Sequence, residues 1–102
     1  MTTKVFLVGY MGCGKSTLAR KLSRRTGVRA VDTDAEVERM EGASVGDIFR
    51  YEGEERFREL ERSVVERVAA SGEACIVATG GGLPTWSDNM EMLSKAGTTV
   101  YL

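Results

Sequence analysis

The chain has 102 residues, 42% of them hydrophobic, and its 14 lysines and arginines nearly balance its 15 aspartates and glutamates. This length suits one domain with a single core, and a net charge of −1 argues against nucleic acid or an anionic membrane surface as a partner. Two cysteines without any histidine exclude a disulfide scaffold and argue against a structural zinc site.

An apolar run near the N-terminus predicts a first strand from Lys4 to Val8. The run is too short for the hydrophobic region of a signal peptide or for a membrane span, so we expect a cytoplasmic protein. It leads into GYMGCGKST at residues 9–17, a complete G-x-x-x-x-G-K-S/T loop, and then into a helix predicted from Lys15 to Arg25. This order of strand, glycine-rich turn and helix aims backbone N–H groups at one point and predicts a phosphate site.

The residue types in this loop predict binding of a nucleoside triphosphate with its magnesium ion. Lys15 can reach the β- and γ-phosphates, and the hydroxyl of Ser16 can hold Mg²⁺. Cys13 is either a passive part of the loop or, because it lies near a helix N-terminus, a redox-sensitive thiol. The predicted nucleotide-binding residues are Gly12, Cys13, Gly14, Lys15, Ser16 and Thr17.

A second strand, predicted from Val28 to Asp32, ends in the triplet Asp32-Thr33-Asp34. Ligands of open α/β sheets bind at the carboxyl ends of the strands, which is where this triplet falls. In extended chain both carboxylates would point the same way, one towards Mg²⁺ and the other towards an acceptor hydroxyl, as phosphoryl transfer to an alcohol requires. The alternative is that one or both aspartates cap the following helix.

Helical spacing of apolar residues dominates the middle of the chain. Three helices are predicted there, at Asp34–Met40, Val45–Tyr51 and Glu54–Ala70. In the longest helix, the planar guanidinium of Arg58 could bind a carboxylate of the substrate through two hydrogen bonds, and Glu61 would hold Arg58 in place. The same spacing fits a series of solvent-exposed salt bridges between Glu54, Arg58 and Glu61, and both interpretations stay open.

A third strand, predicted from Ala74 to Ala78, is followed by Thr79 and the glycines 80–82. These glycines allow a ligand to approach the backbone closely and predict a lining for the acceptor pocket; an ordinary strand-to-helix loop is the alternative. Thr79 is expected to contact the metal through water. A helix predicted at Ser87–Lys95 and a strand at Thr98–Leu102 complete an α/β pattern of parallel strands joined by right-handed crossovers.

The phosphate loop, the Asp32–Asp34 triplet, Phe57-Arg58 with Glu61, and the glycines 80–82 together resemble shikimate kinases. The resemblance implies a single three-layer P-loop kinase domain over residues 1–102, with strand order 2-3-1-4. It implies transfer of the γ-phosphate of ATP to the 3-hydroxyl of shikimate, in the biosynthesis of aromatic amino acids.

The resemblance also implies a role for each matching residue. Lys15 and Asp34 would be catalytic, the first on the transferred phosphate and the second on the acceptor hydroxyl. Ser16 and Asp32 would serve Mg²⁺. The implied shikimate-binding residues are Asp34, Arg58, Gly80, Gly81 and Gly82.

Shikimate kinases are longer than this chain and carry a lid arginine, a second carboxylate-binding arginine and a fifth strand. Because the sequence stops in the strand-like run ending at Leu102, we expect a truncated chain. The full-length family implies a monomer, whereas this chain is expected to dimerise or to accept a complementing C-terminal segment. Two other functions stay open, namely a gluconate-type P-loop kinase and a catalytically incomplete nucleotide-binding fragment.

Overall fold

The structure is a computed structural model that describes residues 4–9, 14–80 and 89–102. Strands and helices alternate along these segments, as the hydrophobic pattern predicts. In chain order they are β1 (Lys4–Val8), α1 (Lys15–Thr26), β2 (Arg29–Asp32), α2 (Thr33–Glu41), α3 (Val45–Glu52), α4 (Glu54–Ala70), β3 (Cys75–Ala78), α5 (Asn89–Ala96) and β4 (Thr98–Tyr101). None of the helices in these segments is long and apolar enough to cross a membrane.

The strands form one parallel sheet in the order β2-β3-β1-β4, so the predicted order is confirmed. Every residue of β3 is buried, whereas β4 at the edge is largely exposed. Parallel strands that are covered on both faces consist of continuous apolar runs, and β3 reads Cys-Ile-Val-Ala. The carboxyl ends of β1, β2 and β3 meet at one edge of the sheet, where the predicted motifs begin.

Helices cover both faces of the sheet and make three layers. Phe6 and Val8 of β1 face a large core with α2 to α5, and Leu7 between them faces α1 on the other side. This alternation follows from the pleat, which sends successive side chains to opposite faces. One apolar stripe of α4 is buried in the larger core, at Phe57, Leu60, Val64, Val65 and Val68.

The ends of the helices follow local capping signals. Gly27 ends α1 and Gly42 ends α2, and both adopt the left-handed backbone conformation, with φ of 74° and 67°. Ser44 caps α3 by accepting the N–H of Asp47. At the start of α2 the prediction of extended chain through the acidic triplet is wrong, because the helix already begins at Thr33. The two aspartates therefore do not project side by side from a strand.

Candidate active site

The N-terminus of α1 forms the described part of the phosphate loop. Gly14 adopts φ of 89° and has no side chain to cap the helix, so the helix begins with N–H groups that an anion can use. Lys15 is buried, and its Nζ donates a hydrogen bond to the carbonyl of Gly9 at 2.6 Å. Ser16 is half-buried and Thr17 is exposed beside it on α1. The predicted residues Gly12 and Cys13 lie outside the described residues.

Asp32 joins the phosphate loop to the second strand. Its Oδ2 accepts a hydrogen bond from the Ser16 hydroxyl at 2.6 Å, while its Oδ1 accepts one from the backbone N–H of Ala35 at 3.2 Å. Asp32 is thus the N-cap of α2, which confirms the capping alternative for this residue. The same side chain also meets Ser16, as the predicted metal site requires.

The oxygen atoms of Ser16 and Asp32 fit a magnesium ion. Mg²⁺ prefers hard oxygen ligands and usually takes one or two from the protein, with the rest supplied by phosphates and water. In the part of the chain that the structure describes, no group of three or more His, Cys, Asp or Glu side chains is placed to hold a metal ion by itself. A site completed by nucleotide phosphates is therefore the kind of magnesium site that these residues can form.

Asp34 lies in the first turn of α2, and its carboxyl group lies beside that of Glu61 on α4, where one proton can form a hydrogen bond between them. Burial raises the pKa of Glu61 to about 8; the bond to Asp34 and the charge of Asp34 act in the same direction, and Arg58 opposes them. The pKa of Asp34 is raised as well, chiefly by burial, and the interaction with Glu61 offsets only part of that rise. Oε2 of Glu61 receives no hydrogen bond from the described groups. We therefore assign a shared proton to Glu61, which donates it to Asp34.

Arg58 is held against the other oxygen of Glu61. Its Nη1 lies 3.1 Å from Glu61 Oε1, and its Nη2 lies 3.5 Å from Glu54 Oε1. The side chain of Arg58 is only 15% exposed and that of Glu61 only 1%, whereas Glu54 is 68% exposed. The predicted contact with Glu61 is present. Of the two glutamates that pair with Arg58, only Glu54 is exposed to solvent. The guanidinium also lies 5.8 Å from the ring centroid of Phe49 and 5.3 Å from that of Phe57.

Gly80 is buried directly beneath the carboxyl pair. A Cβ atom at this position would collide with Oε2 of Glu61 and lie 2.6 Å from Oδ1 of Asp34. The close approach that was predicted for a ligand is thus made by two acidic side chains. The N–H of Gly80 donates to Oγ1 of Thr33 at 2.9 Å rather than facing the pocket. Gly81 and Gly82 lie outside the described residues.

Thr79 is bonded within the sheet, and its predicted water-mediated contact with the metal stays a prediction. Its hydroxyl and its backbone N–H both donate to the carbonyl of Leu7, at 2.9 and 3.1 Å, and the residue is buried in the sheet. A buried hydroxyl needs a hydrogen-bond partner, and the Leu7 carbonyl provides one just beyond the last residue of β3. Thr79 therefore fixes the end of β3 to β1.

Sequence reasoning missed two residues of the site, Thr33 as a partner of Gly80 and Glu61 as a partner of Asp34. The one sequence feature that pointed to Thr33 is its position between two aspartates at the end of a strand. Glu61 was considered only as a support for Arg58, since a glutamate three residues after an arginine is common on exposed helices. Its burial results from the packing of α4 on the sheet.

Comparison with known proteins agrees with this geometry. The family model described as Shikimate kinase matches residues 11–102. A shikimate kinase of Persephonella marina is 45% identical over 98 residues, which are 96% of this chain and 59% of the relative. One of Parabacteroides distasonis is 46% identical over 99 residues, which are 97% of this chain and 57% of the relative.

Solved structures show the same likeness. A crystal structure of shikimate kinase from Bacteroides thetaiotaomicron has a TM-score of 0.92 at 41% identity and matches 98% of this chain and 56% of its own. Shikimate kinase from Acinetobacter baumannii in complex with shikimate has a TM-score of 0.94 at 40% identity, over 100% of this chain and 56% of its own. The chain thus spans somewhat more than half the length of the relatives it matches. On sequence and fold alike, the chain belongs to the shikimate kinase family.

Proposed function

We propose that this chain transfers the γ-phosphate of ATP to the 3-hydroxyl of shikimate and so contributes shikimate 3-phosphate to aromatic amino-acid biosynthesis. One observation carries the proposal: Asp32 binds Ser16 of the phosphate loop, and Asp34, two residues further along the chain, joins the cluster of Glu61 and Arg58. The proposed phosphate donor site and the proposed acidic acceptor site would thus lie side by side at the sheet edge. The family, and a solved relative in complex with shikimate, support this acceptor.

On the donor side, we propose that the loop residues from Gly12 to Thr17 bind the phosphates through their N–H groups. Lys15 would exchange its bond to the Gly9 carbonyl for one to the transferring phosphate, because its ammonium group interacts more strongly with a negatively charged phosphate than with a neutral carbonyl. Ser16 and Asp32 would hold Mg²⁺. When bound, this ion neutralises negative charge on the phosphates.

On the acceptor side, a single proton on the carboxyl pair would allow a negatively charged Asp34 and a positively charged Arg58 to act on shikimate together. With the proton on Glu61, the carboxylate of Asp34 remains an acceptor for the shikimate hydroxyl and orients its oxygen towards the donor. Neutral Glu61 also leaves most of the positive charge of Arg58 available for the carboxylate of shikimate. The glycines 80–82 would line the remaining wall of this pocket.

We propose ATP and shikimate as the partners, in a cytoplasmic protein that binds neither nucleic acid nor membrane. Among the described residues, no strand pairs with the outer edge of β4, where Val100 and Tyr101 are accessible. Such an edge is suited to pairing with a complementing C-terminal segment or with a second copy, whereas full-length relatives are expected to be monomers.

The decisive experiment measures ADP release from Mg-ATP with shikimate, with gluconate and with neither. We expect release only with shikimate, and loss of this release in Lys15→Met but not in Lys21→Met, an exposed lysine of the same helix. Equal release with gluconate, or release that does not depend on an acceptor, would contradict the proposed substrate. ATP binding without any acceptor-dependent release would favour the non-catalytic nucleotide-binding alternative.

A further inference from the structure

The middle residue of the acidic triplet, Thr33, is completely buried. Its Oγ1 accepts the backbone N–H of Gly80 at 2.9 Å, across 47 residues of sequence. This bond links the first residue of α2 to the backbone just beyond β3. A threonine between two functional aspartates is therefore turned away from solvent and towards the glycine segment.

Gly80 is tied down from two sides. On one side, Thr79 is bonded through both its hydroxyl and its N–H to the Leu7 carbonyl, which fixes the chain to β1. On the other side, the only backbone N–H of Gly80 is held by Thr33. Between these two anchors, the α-carbon of Gly80 lies directly beneath the carboxyl groups of Asp34 and Glu61. Small movements of Gly80 would therefore change the space in which this pair sits.

We propose that Thr33 is a positioning residue for the acceptor: its hydroxyl holds Gly80 against Asp34 and Glu61 and so sets the width of the acceptor pocket. The inference rests on the proposed function, because the pocket is that of the shikimate acceptor. Thr33 acts through Gly80 and does not touch the acceptor. Without the hydroxyl, the Gly80 N–H would be buried without an acceptor, and the backbone would have to move to find one.

A purely structural role makes a different prediction. A bond that only stabilised the fold would lower the melting temperature and change the affinities for ATP and shikimate alike. A positioning role changes the affinity for shikimate and leaves that for ATP nearly unchanged, because Ser16 and Asp32 bind each other without the help of Thr33. Serine keeps the hydroxyl and should restore the function, whereas valine has the same shape and lacks it.

The test compares Thr33→Val with Thr33→Ser and with a matched control, Thr26→Val. Thr26 also accepts a backbone N–H with its hydroxyl, from Val28, but it lies at the far end of α1. Titration calorimetry of the full chain would measure the dissociation constants for shikimate and for ATP. We expect Thr33→Val to weaken shikimate binding about tenfold and ATP binding less than about twofold, with Thr33→Ser and Thr26→Val close to wild type.

Amide hydrogen exchange at Gly80, measured by NMR without ligands, tests the bond itself. We expect faster exchange at Gly80 in Thr33→Val and wild-type protection in Thr33→Ser; Thr33→Ala replaces the valine variant if that variant does not fold. Unchanged shikimate affinity in Thr33→Val, or an equal loss in Thr33→Ser, would overturn the proposal. If the wild type binds no shikimate, the proposed function fails, whereas unchanged exchange at Gly80 in Thr33→Val refutes the anchoring by Thr33.

Discussion

The proton shared by Glu61 and Asp34 predicts a pH-dependent stability that one substitution should remove. Glutamine at position 61 has the same shape, keeps an acceptor for Arg58 and offers an N–H donor to Asp34, but it cannot ionise. The wild-type carboxyl has a pKa raised from 4.5 to about 8 by burial and by Asp34. The folded chain therefore retains a proton that the unfolded chain loses above a pH of 4.5.

The sign and size follow from this difference. The contribution of Glu61 to stability is fully present below its unfolded pKa of 4.5 and is lost as the pH rises towards about 8. Each pH unit within that window removes about 1.4 kcal/mol for one proton. Between about pH 5 and pH 7, the wild type should thus lose roughly 2–3 kcal/mol relative to Glu61→Gln.

Urea unfolding from about pH 5 to pH 8, without nucleotide, would measure this difference. Glu66→Gln is the matched control, since Glu66 lies on the same helix and pairs with Arg62 but is mostly exposed. The control should follow the wild type within about 0.5 kcal/mol at every pH. A constant difference between Glu61→Gln and wild type across this range would refute the assignment of the proton to Glu61.

The remaining predictions concern the acceptor side. Asp34→Asn should spare ATP affinity but remove shikimate-dependent ADP release, and normal turnover would contradict its role. Arg58→Ala should raise the dissociation constant for shikimate at least about tenfold by calorimetry, whereas Arg62→Ala on the same helix should not; equal effects would point to helix stability instead. Gly80→Ala, whose Cβ would collide with the carboxyl pair, should lower stability by about 1–3 kcal/mol in thermal unfolding. Gly72→Ala has open space for its Cβ, and a loss as large as that of Gly80→Ala would contradict this explanation.

Much of the fold and the donor half of the site could be predicted from the sequence because their signals are local. The loop ending in Lys15 and Ser16 is a contiguous pattern, and its chemistry depends on residues that are neighbours in the chain. Element types followed from apolar periodicity, and α4 begins and ends where predicted, at Glu54 and Ala70. The strand order was implied by the family resemblance, which those local motifs carried.

The tertiary structure alone decided how the proposed acceptor half of the site is assembled. Arg58 with Glu61 and Arg62 with Glu66 are similar acid–base pairs on one helix, yet Glu61 is 1% exposed and Glu66 57%. Helical spacing does not distinguish them, because burial depends on which side of α4 packs against the sheet. The same packing brings Glu61 to Asp34, as the fold brings Thr33 to Gly80. The sequence by itself determined which groups are proposed to bind phosphate, and the packing of distant elements determined which carboxyl group keeps its proton.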